Sequence, residues 1–248
     1  MSKEEQTKII ALAKRLKLPM IAEFDQHVSN EANFSNNLLR LLEMEVLEKD
    51  NKGIRRRTKS AGFPFIRLLD TFEHDGRLKH LKPEQVNGLT DCHFIAQKKN
   101  VIAIGNSGTG KTHLLIALGV EAIRQGYTVR FKRASDLVNQ MSEALSKNEL
   151  SQYIKTLNNC HLLICDELGY LNFDLQGASL LFQVFAARYE VSSTMVTSNL
   201  EFSKWPAFLG NDATMSTALV DRLVHRAEIL NMNGESYRLK DAKRKIDL

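Results

Sequence analysis

The stretch Gly105-Asn106-Ser107-Gly108-Thr109-Gly110-Lys111-Thr112 decides how this chain folds. It fits the pattern G-x-x-x-x-G-K-[ST], whose glycines let the backbone curl until successive N–H groups point at one anion. In that pattern Lys111 brings a positive charge to the β- and γ-phosphates of a nucleotide, and the Thr112 hydroxyl is a ligand for Mg²⁺. The eight residues therefore predict a binding loop for a nucleoside triphosphate.

The residues on either side of this loop decide between a nucleotide site and a plain glycine-rich turn. The short apolar run Asn100–Ile104 precedes the loop and predicts a β-strand, and residues 113–124 follow it with the pattern of a helix. Strand, loop and helix in this order place the phosphates at a helix N-terminus, where N–H groups and the helix dipole favour an anion. The flanks therefore favour the nucleotide site.

Strands and helices alternate through the remainder of the chain. The predicted strands are residues 100–104, 127–131, 162–167, 194–199 and 228–232, and the predicted helices are residues 113–124, 134–145, 177–189 and 214–226. The strands are nearly continuous apolar runs, which indicates a parallel sheet covered by helices on both faces. We therefore predict an α/β fold with a five-stranded parallel sheet and a ligand at the carboxyl ends of its strands.

Two carboxylates end the third predicted strand, which reads LLICDE from Leu162. A strand buried on both faces can carry such charge only at its end, beside the nucleotide. There Asp166 would hold Mg²⁺ through water, and Glu167 would orient the attacking water as a general base. The alternative for Asp166 is the N-cap of a helix. Asn199 ends the fourth strand, where its amide would bind the γ-phosphate or the lytic water, unless it only forms a turn.

An arginine on the last predicted helix is the candidate for charge stabilisation during hydrolysis. A guanidinium supplied by a neighbouring subunit stabilises the transferring phosphoryl group, and Arg222 is the first candidate for it. Arg226 and Arg188 are the other choices, and a local ion pair of Arg222 with Asp221 or Glu228 is the alternative. Few residues follow the fifth strand, so we expect no full helical lid, although Arg238 could reach a phosphate.

The first part of the chain reads as a charged helical module. We place its boundary in the Gly- and Pro-containing segment 60–64, which gives a helical domain of residues 1–62 and an ATPase-like domain of residues 63–248. The strongest basic cluster of the chain lies at the end of the module, in Arg55, Arg56, Arg57 and Lys59. These side chains would contact nucleic-acid phosphates, or else form a solvated helix end.

Composition limits the classes of function that remain. The formal net charge of +5 is a mild basic excess, which is compatible with binding a polyanion. No stretch of the sequence approaches 18 consecutive apolar residues, so we expect no membrane span, and residues 1–6 do not begin a signal peptide. We therefore expect a cytoplasmic protein.

Several segments together resemble the AAA+ ATPases, in the group that contains the initiator DnaA and the helicase loader DnaC. The match extends to the IstB-like helper ATPases of bacterial insertion sequences, through the segments LICDELGY at 163–170, VTSNLEFSKW at 196–205 and GESYRLK at 234–240. The resemblance implies that residues 105–112 are the Walker A loop, with ATP as the nucleotide. It further implies that Asp166 and Glu167 are Walker B, that Asn199 is sensor 1, and that Arg222 is the arginine finger.

This family resemblance also implies partners. It predicts ATP-dependent self-assembly into a homo-oligomer on duplex DNA and a cognate transposase, IstA. One alternative is a helicase loader that prefers single strands, but such proteins usually offer stacking aromatics, and residues 1–60 contain only Phe24 and Phe34. The other alternative is a small-molecule kinase, which would need an acceptor pocket and a lid.

Overall fold

A computed structural model of the chain describes residues 2–29, 32–72 and 76–240. The chain divides into two compact units, Met1–Arg56 and Arg57–Leu248. The boundary between them thus lies at 56/57, whereas we expected it at 62/63 from sequence. The described residues contain no helix that is long and apolar enough to cross a membrane.

The N-terminal unit is helical. Its elements are α1 (Lys3–Arg15), α2 (Pro19–Ala22), α3 (Phe24–His27) and most of α4 (Phe34–Ala61), a 28-residue helix that continues past the unit boundary. Helix α1 begins with a capping box, in which the Ser2 hydroxyl accepts the Glu5 N–H and the Glu5 carboxylate accepts the Ser2 N–H. The buried carboxylate of Glu45 on α4 accepts the N–H of Met20 at 2.9 Å and so fixes α2 against α4.

The second unit is built on a sheet of five parallel strands in the order β2-β3-β4-β1-β5. The strands are β1 (Asn100–Ile104), β2 (Val129–Arg133), β3 (Leu162–Leu168), β4 (Ser193–Ser198) and β5 (Ala227–Asn231). The helices between or before them are α5 (Pro83–Thr90), α6 (His93–Ala96), α7 (Lys111–Arg124), α8 (Ala134–Ser146), α9 (Leu150–Asn158), α10 (Leu175–Arg188), α11 (Trp205–Phe208) and α12 (Ala213–Val224). The predicted α/β fold with a five-stranded parallel sheet is confirmed.

Local hydrogen bonds explain two of the differences between the observed and the predicted element bounds. Strand β2 begins two residues later than expected, because the N–H of Thr128 is bound to the His161 imidazole at 3.0 Å and not to a strand. Helix α10 begins two residues earlier, because the Asp174 carboxylate accepts the N–H of Gly177 at 2.8 Å and forms its N-cap. Both differences depend on side-chain partners.

Helices pack on both faces of the sheet and close the core. Strand β1 and most of β3 are buried, and β4 is buried along its whole length. One face is covered by α7, whose residues from Leu114 to Val120 are all buried, and the other by α8, α10 and α12. Because apolar helices cover both faces, polar side chains of these strands reach solvent only where the strands end.

Candidate nucleotide site

The glycine loop curls between the end of β1 and the start of α7, as the motif predicted. Gly108 has φ of 80° and Gly110 has φ of 96°, a left-handed conformation that side chains disfavour. A Cβ at Gly108 would also clash with the side chain of Ser236, and the Gly108 carbonyl accepts the N–H of Tyr237 at 2.9 Å. The segment after β5 therefore packs directly on the loop, whereas the sequence had suggested only that Arg238 of this segment could reach a phosphate.

Lys111 is the first residue of α7, and its side chain folds back over the glycine loop. Its Nζ donates to the carbonyl oxygens of Gly105 at 2.6 Å and Asn106 at 2.7 Å. Burial lowers the pKa of Lys111 to about 8, with Asp166 opposing this shift and Arg238 adding to it. A phosphate in the loop would give the ammonium an anionic partner and raise its pKa.

The Asp166 carboxylate connects three elements. Its Oδ1 accepts the Thr112 hydroxyl of α7 at 2.8 Å and the Thr197 hydroxyl of β4 at 2.6 Å, and the residue is 3% exposed. Adjacent hydroxyl and carboxylate oxygens suit Mg²⁺, which protein sites commonly hold with one or two such groups plus the phosphates of the nucleotide. Thr112 and Asp166 therefore fit the ion that the sequence predicted for them. The alternative for Asp166 was the N-cap of a helix, but its carboxylate accepts these two side-chain hydroxyls instead of the N–H groups of a helix.

Glu167 lies next to Asp166 but points to a different environment. Its φ is 61°, which is unusual for a residue other than glycine. Its carboxylate is about half exposed and lies 3.7 Å from the Arg133 guanidinium at the end of β2. A water-activating carboxylate needs access to solvent and to the phosphate, and the exposed position of Glu167 is compatible with that role.

The end of β4 lies beside the glycine loop. Ile104 and Ser198 are register partners, and the N–H of Gly105 donates to the Ser198 carbonyl at 3.2 Å. Asn199 follows directly and is exposed at this edge of the sheet. The residue that sequence reasoning missed is Thr197, two positions earlier. The available signal was a hydroxyl residue next to the polar carboxyl end of a buried strand.

The three candidate arginines differ in what they contact. Arg188 is 1% exposed and donates to the carbonyls of Leu157 and Ser193, so it cannot extend to a neighbouring subunit. Arg222 is half-buried, its Nη1 donates to the Ala218 carbonyl at 2.9 Å, and its guanidinium lies 4.9 Å from the Phe182 ring centroid. Within the described chain, Arg222 forms no ion pair with Asp221 or Glu228. Arg226 is exposed.

The basic cluster at the end of α4 is not uniform. Arg55, Arg56 and Lys59 are exposed, whereas Arg57 is half-buried. The Nη2 of Arg57 donates to the carbonyl of Ile123 at 3.2 Å, in the last turn of α7, where cations and donors satisfy free carbonyls. Arg57 thus stabilises the end of the helix that begins at the phosphate loop, while the other three side chains face solvent.

Comparison with known proteins finds relatives that are described as ATP-binding proteins. A family model described as IstB-like ATP binding protein matches residues 11–245. The putative ATP-binding protein of insertion sequence IS5376 from Geobacillus stearothermophilus is 37% identical, over 92% of this chain and 92% of its own. The corresponding protein of IS21 from Pseudomonas aeruginosa is 35% identical, over 89% of this chain and 82% of its own.

Solved structures support the fold. The replication initiator DnaA, bound to AMPPCP and single-stranded DNA, aligns with a TM-score of 0.55 at 23% identity, over 73% of this chain and 54% of that chain. The DnaC helicase loader aligns with a TM-score of 0.52 at 23% identity, over 66% of this chain and 95% of that chain. The chain therefore belongs to the family of IstB-like ATP-binding proteins and has the AAA+ fold shared with DnaA and DnaC.

Proposed function

We propose that this chain is a Mg²⁺-dependent ATPase that assembles on duplex DNA and stimulates a partner transposase. The observation that supports hydrolysis most strongly is the network on Asp166. It joins a phosphate loop, a hydroxyl from α7 and a hydroxyl from β4 beside the half-exposed carboxylate of Glu167. A solvent-accessible carboxylate directly after the residue proposed to hold Mg²⁺ can serve as the general base that hydrolysis requires.

In this proposal each residue of the site has one task. The N–H groups of residues 105–112 bind the phosphates, and Lys111 neutralises the β- and γ-oxygens. Thr112 and Asp166 would hold Mg²⁺, which supplies charge stabilisation at those oxygens when bound. Glu167 orients and deprotonates the attacking water, and Asn199 hydrogen-bonds that water or the γ-phosphate.

A complete hydrolytic site in this proposal requires a second copy of the chain. Arg222 would leave the Ala218 carbonyl and the Phe182 ring and bind the γ-phosphate on the neighbouring subunit. Its surroundings support such a movement, because Arg222 lines an open groove with Thr217, Ala218 and Asp221 and, among the described residues, forms one neutral hydrogen bond there. Assembly would therefore depend on the nucleotide, which would lie between subunits.

The proposed DNA contacts are the exposed cations at the end of α4. Arg55, Arg56 and Lys59 can bind phosphates, while the guanidinium of Arg57 is already bound to Ile123, so we retain only the first three as contacts. The net charge of +5 supports binding to a polyanion. Such contacts would be largely blind to base sequence. The relatives from insertion sequences support transposition as the process, with the transposase IstA as the partner.

The ATPase rate in the presence of different DNAs tests this proposal. The purified chain is assayed with MgATP alone, with a long duplex, and with single-stranded DNA of equal nucleotide concentration. We expect the duplex to raise the rate more than the single strand, because the proposed complex forms on double-stranded DNA. A larger stimulation by the single strand would instead support a helicase loader, and transfer of phosphate to a metabolite without DNA would support a kinase.

A further inference from the structure

The two carboxylates at the end of β3 lie in a β-bulge. Cys165 pairs with Val196 and Leu168 pairs with Ser198, so Asp166 and Glu167 together lie opposite the single residue Thr197. A bulge of this kind leaves one residue without its ladder partner and turns a side chain in a new direction. Regular pairing therefore cannot fix the position of Glu167.

The hydroxyl of Thr197 takes the place of the missing ladder bond. It accepts the backbone N–H of Glu167 at 2.8 Å and donates to Oδ1 of Asp166 at 2.6 Å. The residue is 1% exposed, so water does not compete for these bonds. The same hydroxyl thus accepts a hydrogen bond from Glu167 and donates one to Asp166, the two consecutive residues of the bulge.

The conformation of Glu167 depends on this support. A φ of 61° is disfavoured for glutamate and persists only where neighbouring groups hold it. If the residue relaxed to an extended conformation, its side chain would alternate to the other side of the strand relative to Asp166. The bond from the Glu167 N–H to Thr197 opposes such a change directly, beside the hydrogen bond from the Tyr170 N–H to the Glu167 carbonyl.

We propose that Thr197 is a positioning residue for hydrolysis, which holds the Glu167 backbone in the bulge and orients Asp166 toward Thr112. This inference rests on the proposed ATPase function. Thr197 does not contact the nucleotide in this account. It acts through the bulge, so its removal should slow the chemical step more than it weakens binding of ATP.

Substitution by valine and by serine separates the hydroxyl from the shape of the side chain. Thr197→Val keeps the volume and removes both hydrogen bonds, whereas Thr197→Ser keeps the hydroxyl. We expect kcat of Thr197→Val to fall about 10- to 100-fold, as for other residues that orient the groups of a site without contacting the substrate. KM for ATP should change much less. Thr197→Ser should restore most of kcat.

A second measurement does not depend on activity. Hydrogen exchange of the Glu167 amide is followed by NMR in the nucleotide-free protein, where Thr197 is its acceptor. Thr197→Val should speed this exchange about fivefold or more relative to wild type, and Thr197→Ser should not. Thr194→Val is the matched control, because Thr194 is also buried on β4 and uses its hydroxyl at the opposite end of the strand, as acceptor for Arg188.

The control should lose stability without changing kcat or the exchange of the Glu167 amide. Unchanged kcat or unchanged exchange of this amide in Thr197→Val would overturn the inference, as would a Thr197→Ser variant as slow as Thr197→Val. If the wild-type chain hydrolyses no ATP with DNA present, the proposed function fails, and with it the catalytic role of Thr197. The exchange measurement would then still show whether the hydroxyl holds the bulge.

Discussion

The carboxyl end of the sheet and helix α12 both carry charged groups for the proposed reaction, but they are fixed to very different degrees. Asp166 is buried and accepts two hydroxyls, and Lys111 donates to two carbonyls of its own loop. Arg222, by contrast, is half-exposed in an open groove and forms one hydrogen bond to its own helix. One chain thus contains a preorganised phosphate site and an arginine that has no anionic partner among the described residues.

Under the proposed function, this difference corresponds to a division of work between binding and hydrolysis. Groups that bind ATP must already be positioned in a single chain. The conformational entropy of their side chains is then lost when the chain folds and not when ATP binds. A group that acts only after assembly gains from being free to move, because its contact then couples hydrolysis to the presence of a neighbour. Substitutions at the two places should therefore affect different steps.

Arg222→Ala should have the largest effect on hydrolysis. We expect the DNA-stimulated kcat to fall about 10³-fold or more, as for arginines supplied in trans, with ATP affinity nearly unchanged. The matched control is Arg226→Ala, an exposed arginine of the same region, which should retain most activity. Steady-state assays with saturating duplex give both rates.

Mixing two inactive variants tests whether Arg222 acts on another subunit. Lys111→Ala lacks nucleotide but supplies Arg222, and Arg222→Ala holds nucleotide but lacks the arginine. A mixture should recover part of the activity that is missing from each variant alone. No recovery, or a greater decrease in Arg226→Ala than in Arg222→Ala, would refute the assignment.

Smaller effects are expected from the basic cluster on α4. Replacing Arg55, Arg56 and Lys59 by alanine should reduce the slope of log affinity for DNA against log salt by up to about 2.7, because each DNA phosphate that a cation neutralises adds about 0.9 to that slope. ATP affinity without DNA should not change. The measurement is a fluorescence titration of a labelled duplex at several salt concentrations.

Arg57→Ala provides the contrast within the same cluster. It removes the hydrogen bond to the Ile123 carbonyl, so it should lower the free energy of unfolding by about 1 kcal/mol and leave the salt slope unchanged. The triple replacement changes the slope by a certain amount per residue replaced. If Arg57→Ala reduced the slope by that same amount, Arg57 would also be a DNA-binding residue.

The sequence was sufficient for the parts of the molecule that local pattern determines. The apolar run Asn100–Ile104 forms β1 with the predicted bounds, because a fully buried strand and a following glycine loop each have a distinctive composition. The close approach of Thr112 to Asp166 was also predictable, since the motif and the strand end both belong at the carboxyl edge of a parallel sheet.

Features that depend on pairing between distant segments were not predictable. The bulge that places Asp166 and Glu167 opposite Thr197 is a property of two strands together, and neither strand shows it alone. The different positions of Arg57 and its neighbours arise because one side chain reaches the end of α7, which composition does not reveal. The contact of Tyr237 with Gly108 is likewise a tertiary one.

Sedimentation velocity of the purified chain with a long duplex and either ATP or ADP shows whether nucleotide drives its assembly on DNA, with Lys111→Ala as the control. We expect large DNA-bound assemblies of the wild-type chain with ATP, little assembly with ADP, and none beyond non-specific binding for Lys111→Ala. A wild-type chain that remains a single subunit with ATP and duplex together, or a Lys111→Ala variant that assembles like wild type, would contradict this expectation.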